Sequence, residues 1–504
     1  MALADSRIEP SDAPRVSLRA EWRFLIILFL GFVLLYGSLS PLYFRPMGYM
    51  EEEFIAAKQV LTGIAGAFTR PAPVIDWPRH GALPVFTHLP FVAAGRILFG
   101  PSLDWQDKVF ALEPVVLTAG LLAILFLWAR RLGVSRRFAA IAAIATGFCT
   151  IYWPYAYFGM EPAQSLFLLL AGYIAIHHRR TTWPSLIALG IATGMAAAVK
   201  STGVFLIPAL MYANWVFFRE LALRDFRRAL PKIAAAGVIA GGIILFSAWT
   251  RGLFWAPRGG TSPYLELWLV RDPITYLINV VAFLTSPNKG LFVFVPLALF
   301  AVAQLPRLIR DRSDLAVFAS LITMAVAFGY TLFLVWSDET FGPRYFHCAI
   351  APLVLCIVEA YRHREKRALK HPGLLACAVL GFAIALLGAL FGYGQMQTTA
   401  TQTGQATLEN FQGNTVWNHV RFNARLLRAW IDPEDVVWTP KRTSIGQPPA
   451  WVPSPASVNL TRIRDVNQRR AAVPQAWLIT TWGEDHGRLL RVICMLSFFA
   501  GLAL

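Results

Sequence analysis

Apolar residues in this chain run in long blocks instead of alternating with polar ones. The stretches Phe24 to Phe44, Phe138 to Met160 and Leu315 to Ser337 contain no charged residue. Each approaches or exceeds the ~20 residues that carry a helix across a bilayer core. The pattern predicts an all-α polytopic membrane protein. Short basic clusters interrupt the blocks and set its orientation, because cytoplasmic loops collect Lys and Arg.

The N-terminal flank carries Arg15, Arg19 and Arg23, with no small-residue cleavage site after the first block. It reads as an uncleaved anchor with its N-terminus in the cytoplasm. The next basic hairpin, Arg130, Arg131, Arg136 and Arg137, is placed on the same side, so one crossing, 109–129, separates it from the first block. Further cytoplasmic loops fall at His177–Arg180, Arg219–Arg228, Arg307–Asp314 and Arg362–Lys370. The remaining spans are then 138–157, 162–177, 183–199, 201–218, 231–250, 289–306, 315–336, 345–361 and 373–393. Gly81 to Gly100, with Pro84, His88, Pro90 and Arg96, suits an interfacial helix on the outer side. Pro273 to Asn288 is placed there too, since a crossing would turn the Arg307 loop outward.

The domain plan follows: a cytoplasmic tail 1–23 and a bundle 24–393 of about 11–12 spans with an outer loop 44–108. An extracytoplasmic region 394–487 comes next, rich in Gln, Asn, Thr, Pro and Trp. Residues 488–504 are either a last span or a membrane anchor.

Composition supports this class. Hydrophobic residues are 56% of the 504, charged residues 15%, and the mean hydropathy is +0.51. Soluble domains are nearer one quarter charged and below one half apolar. An ordinary soluble enzyme, a disordered chain and a fibrous protein are excluded. The net charge of +17 is read as loop orientation, not as a nucleic-acid surface. Cys149, Cys348, Cys356, Cys377 and Cys494 lie in apolar blocks without CxxC spacing, which argues against a disulfide framework or zinc site.

Candidate chemistry collects on the outer side. Glu51, Glu52 and Glu53 open an amphipathic stretch just after the first span. They serve equally well as acidic residues favoured at a helix N-terminus or as an ionised general base at the membrane surface. Glu161 stands in the turn YFGMEP; alone it marks a span boundary. Lys200, Lys289 and Arg344 interrupt apolar sequence, where a charge is costly unless paired or facing a polar cavity. Each singly is explained by snorkelling to lipid phosphate. Three together, with acids nearby, favour an anion site able to neutralise a departing phosphate. Asp338 and Glu339 precede Arg344 as its ion-pair partners or as a second acidic pair. No GxxxxGK[ST] loop is present, so ATP-driven transport has no support.

Several segments occur in an informative order. Glu51-Glu52-Glu53-Phe54 opens the outer loop, and Pro84 to Gly100 follows it. ARRLG (Ala129 to Gly133), YFGMEP (Tyr157 to Pro162), SPNKGLF (Ser286 to Phe292) and FGPRYF (Phe341 to Phe346) come next. Over residues 20 to 395 this order resembles the integral-membrane glycosyltransferases of the GT-C class. It is similar to their bacterial branch, family 39-like, related to dolichyl-phosphate-mannose protein mannosyltransferases and lipid A aminoarabinose transferases.

The resemblance implies a sugar donor on polyprenyl phosphate, in contact with membrane lipid. The acceptor would be an envelope lipid, polysaccharide or protein on the outer face of a bacterial plasma membrane. It implies a catalytic base at Glu51, then Glu52, an acceptor- or metal-assisting role for Glu161, and phosphate contacts from Lys200, Lys289 and Arg344. Asp338 and Glu339 stand where relatives carry glycines. A divalent metal stays open as a cofactor. The family's Asp-Glu pair is broken here, since its Asp position falls on Met50. That departure keeps an inactive relative in play. A flippase for a lipid-linked sugar and an O-antigen ligase or polymerase compete with the transferase reading.

Overall fold

The computed structural model describes residues 18–39, 49–66, 81–100, 109–157, 161–178, 182–251, 270, 272–287, 289–332, 342–390 and 488–503. The region 394–487, most of the N-terminal tail and parts of both outer loops lie outside the described residues.

Each expected span falls on a helix: α1 (Leu18–Leu39), α4 (Glu113–Arg131), α5 (Arg136–Phe148), α6 (Glu161–Gly172), α7 (Trp183–Ala198), α8 (Ile207–Arg224), α9 (Phe226–Thr250), α11 (Leu297–Arg310), α12 (Asp314–Tyr330), α13 (His347–Tyr361) and α14 (Pro372–Leu390). Outside that set stand α2 (Tyr49–Gly66), α3 (Ala82–Phe99), α10 (Pro273–Thr285) and α15 (Arg488–Ala503). By length and apolar character alone, 7 helical stretches among the described residues can cross a membrane, with α7, α10 and α12 as shorter apolar helices. One of the seven is α3, so six of the expected spans are among them; the other five fall on helices of 12–17 residues. A π-helical turn, Tyr173–His178, extends α6, and a 3₁₀ turn, Ser201–Leu206, leads into α8.

Burial separates central helices from peripheral ones. Leu121, Leu122, Leu125, Phe126 and Trp128 of α4 are all fully buried, and α13 is buried from His347 to Val358. A helix apolar on every side belongs in the middle of a bundle. In contrast, α9 and α14 expose Val238, Leu245, Leu375 and Val379. Those residues face the acyl chains of a bilayer, which is apolar enough to receive them.

Without a hydrophobic drive between helices in lipid, close approach depends on small residues. Gly190 and Gly194 of α7 sit one turn apart against α9. A Cβ on Gly190 would come 2.9 Å from Ile239 and 3.0 Å from the Ala236 carbonyl, and one on Gly194 would come 3.0 Å from the Ala240 carbonyl.

Loops read as cytoplasmic meet one another at one end of the bundle. Glu21 of α1 accepts from Arg130 at 3.0 Å and Arg136 at 3.2 Å. Asp314 pairs with Arg219 at 3.0 Å, Ser313 donates to Glu359 at 2.6 Å, and Ser135 bonds Glu365. Polar N-caps start the helices there: Ser135, Asp225 and Ser313 each accept a backbone N–H three residues on, as caps do.

The opposite end is closed by α3. Leu83 packs with Ala163, Ala198 and Val199, and the Ala82 amide donates to Thr250 Oγ1 at 3.0 Å. Further along, His88 bonds Glu113 at the start of α4, and its ring meets Phe110. Thus α3 bridges the ends of α9, α7, α6 and α4. α2 lies on α3 through Phe54, Ala57, Val60, Val85 and Val92.

Candidate functional site

At the α3 end of the bundle, three helix junctions place charge in the interior. α6 begins at Glu161, which the helix dipole favours in a first turn. Lys200 precedes the 3₁₀ turn Ser201–Leu206 in the α7–α8 connection, and Arg344 opens the 3₁₀ turn Arg344–Phe346 that leads into α13. These residues are 39 and 183 positions from Glu161 in sequence, yet Lys200 Nζ donates to Glu161 Oε1 at 2.5 Å and Arg344 Nε lies 3.8 Å from the same oxygen. The Glu161 side chain is 3% exposed, Lys200 9% and Arg344 15%.

Charges at such depth cost several kcal/mol each unless paired. Lys200 and Arg344 supply that pairing for the Glu161 carboxylate.

Tyr345 organises the two cations. Lys200 Nζ and Arg344 Cζ each lie 4.8 Å from its ring centroid, within cation–π range. Arg344 Nη2 donates to its hydroxyl at 2.9 Å, and the ring stacks on Tyr330 at 4.1 Å. One helical turn deeper, Ser165 bonds His347 Nδ1 at 2.7 Å. Tyr152 supports that rung: its ring lies 4.2 Å from the imidazole, and its hydroxyl donates to the His347 carbonyl at 3.0 Å. The site is a two-storey ladder, with Glu161 and Ser165 on α6 facing Arg344 and His347.

SPNKGLF and FGPRYF are folded against each other. Gly290 N donates to the Ser286 carbonyl at 2.7 Å, and Lys289 N to Ser286 Oγ at 3.1 Å, making a tight turn in which Lys289 is 2% exposed. Phe283 meets Phe346 at 4.5 Å between ring centres. Gly342, with φ +59, lies under Phe294, whose ring would stand 2.6 Å from an added Cβ. Both the left-handed backbone and the contact require glycine. Gly342→Ala is expected to cost about 1–3 kcal/mol, read as an earlier unfolding transition of the purified protein in detergent.

Of the residues singled out in the sequence, the fold brings Glu161, Lys200 and Arg344 together and puts Lys289 in the adjoining loop. Glu51 and Glu52 stand in the first turn of α2, one turn before Phe54, which packs on Phe110 at 5.0 Å. The side chains of Glu51 and Glu52, and Asp338 and Glu339 entirely, lie outside the described residues. Among the described residues, no three His, Cys, Asp or Glu side chains form a metal-binding group.

Tyr345, Ser165, His347 and the His88–Glu113 pair were not marked as site residues by the sequence. The available signal was helical spacing. Ser165 follows Glu161 by four residues and His347 follows Arg344 by three, which puts each pair on one helix face.

No protein-family model matches the chain, and no curated protein sequence matches it. Solved structures do resemble it. ArnT from Cupriavidus metallidurans in the apo state aligns at 14% identity over 96% of this chain and 76% of its own, with a TM-score of 0.45. The apo Archaeoglobus fulgidus oligosaccharyltransferase aligns at 13% identity over 80% of this chain and 60% of its own, TM-score 0.43. ArnT from Cupriavidus metallidurans bound to undecaprenyl phosphate aligns at 16% identity over 82% and 72%, TM-score 0.41. At such identities and scores, these likenesses assign no role to any residue of this chain.

Proposed function

We propose that this protein is a membrane glycosyltransferase. It moves a sugar from a polyprenyl-phosphate donor to an envelope acceptor on the outer face of the plasma membrane. The observation that supports this most is the buried Glu161–Lys200–Arg344 cluster at one end of an apolar bundle.

In the reaction, the acceptor hydroxyl oxygen attacks the anomeric carbon from the face opposite the phosphate. The bond from that carbon to the phosphate oxygen breaks, and polyprenyl phosphate leaves. Glu51, or Glu52, takes the acceptor proton. Lys200, Lys289 and Arg344 hold the phosphate, while Glu161 fixes two of them in place before substrate arrives. Lys200, Lys289 and Arg344 bring three cations to the phosphate side. The donor is a phosphodiester with one negative charge, and the leaving group is a monoester with up to two. The cluster thus gains most where charge develops, and interactions that strengthen towards the transition state raise the rate. Asp338 and Glu339, just before Arg344, are assigned to the acceptor side.

The test compares envelope glycans by mass spectrometry in intact cells, a gene deletion and the deletion re-expressing the protein. One sugar is expected to disappear and return. The purified protein, given the matching polyprenyl-phosphate sugar and acceptor, is expected to release polyprenyl phosphate. Unchanged glycans, or glycan loss without that release by the purified protein, would replace this reading with a scaffold or a flippase.

A further inference from the structure

We infer that the cavity lined by Lys366, Arg367, Lys370, His371 and Pro372, between α13 and α14, binds the head group of an anionic phospholipid. It lies at the far end of α13 from the candidate site, and the proposed transfer has no use for it.

The cavity measures about 550 Å³, larger than a phosphate and roomy enough for a glycerophosphate head. Its walls are basic. The acid that would balance them, Glu365, is directed elsewhere: it accepts from the Ser135 amide at 2.6 Å and from the Ser135 hydroxyl. It thereby serves the start of α5. Among the described residues no ion pair joins Lys366, Arg367 or Lys370 to a carboxylate.

His371 is held in one orientation. The Leu374 amide donates to its Nδ1 at 3.4 Å, and its ring meets Phe300 at 5.0 Å edge-on. With Nδ1 accepting, Nε2 is the ring nitrogen left to donate. Three basic side chains and one imidazole thus line an open pocket that suits an anion.

The choice of a lipid over a soluble phosphate comes from α14. Beginning at the cavity rim, Leu375, Val379 and Phe382 are 61%, 61% and 42% exposed. Their spacing of four and three residues aligns them as one stripe down the helix. Leu369, beside the cavity, is 39% exposed. A phosphate held at the rim with acyl chains along that stripe is the shape of a phospholipid in the adjacent leaflet. Basic pockets at the ends of membrane helices favour anionic heads in this way.

The test is native mass spectrometry of the detergent-purified protein titrated with phosphatidylglycerol or with zwitterionic phosphatidylcholine. Phosphatidylglycerol is expected to bind as a discrete adduct, and phosphatidylcholine is not. Lys366→Gln, Arg367→Gln and Lys370→Gln together are expected to weaken it on the order of a hundredfold. The matched change Arg224→Gln, Arg227→Gln and Lys232→Gln, in another basic loop of the same bundle end, is expected to leave it unchanged. Equal binding of the two lipids, or equal loss in both triple variants, would reduce the effect to general surface charge and overturn the site. Displacement of phosphatidylglycerol by millimolar inorganic phosphate would reassign the cavity to soluble phosphates.

Discussion

Replacing Glu51 and Glu52 together by Gln is expected to lower sugar transfer by about 10²–10⁴-fold, the usual contribution of a positioned general base. The protein itself should accumulate at its normal level. α2 is anchored by its apolar face, where Phe54, Ala57 and Val60 pack against Val85, Val92 and Phe110. Gln keeps the side-chain length and can still accept a hydrogen bond, but it cannot take a proton from the acceptor. Donor binding should therefore survive while turnover falls. Single substitutions then divide the effect. The pattern of the resemblance puts the base at Glu51, with Met50 where that pattern carries its Asp. A double-Gln protein that restores the glycan in a deletion strain would remove both residues from the mechanism. Restoration would also favour the flippase or scaffold reading.

Bundle helices were legible because bilayer crossing imposes a length and a composition on each. The grouping of their ends was legible too, since the alternation of basic loops brings Glu21 to Arg130 and Arg136. What the pattern could not give was which outer charges meet. Lys200 and Arg344 were each ordinary snorkelling candidates. Their convergence on one oxygen of Glu161 depends on the packing of α6 with α7 and α13, and no local spacing encodes that. His347 was invisible for a related reason. A single histidine in an apolar block reads as core, and only the α6 partner Ser165 gives it a second meaning. The breaks in α6 and before α8 escaped because π and 3₁₀ turns keep the composition of the helices they extend. α3 shows the reverse limit: its 18 residues average a hydropathy of 1.4, enough for a crossing, while its contacts tie it to the ends of four other helices.

Removing the charge of Glu161 should have the largest effect on stability. Glu161→Gln is expected to destabilise the fold by about 3–5 kcal/mol, the cost of breaking a buried pair by one partner. Lys200 stands 2.5 Å from this carboxylate and Arg344 shares the same oxygen, so the substitution takes a counter-charge from two cations at once. Lys200→Met should cost a similar amount, because it leaves the Glu161 carboxylate with Arg344 at 3.8 Å. The combined variant Glu161→Gln with Lys200→Met should cost less than the two added, since each change removes what the other left uncompensated. Denaturant unfolding of the four proteins in one detergent measures that coupling. If the single substitutions simply add, Glu161 does not organise Lys200 and Arg344. The phosphate site would then lose the preorganisation on which the proposed chemistry depends.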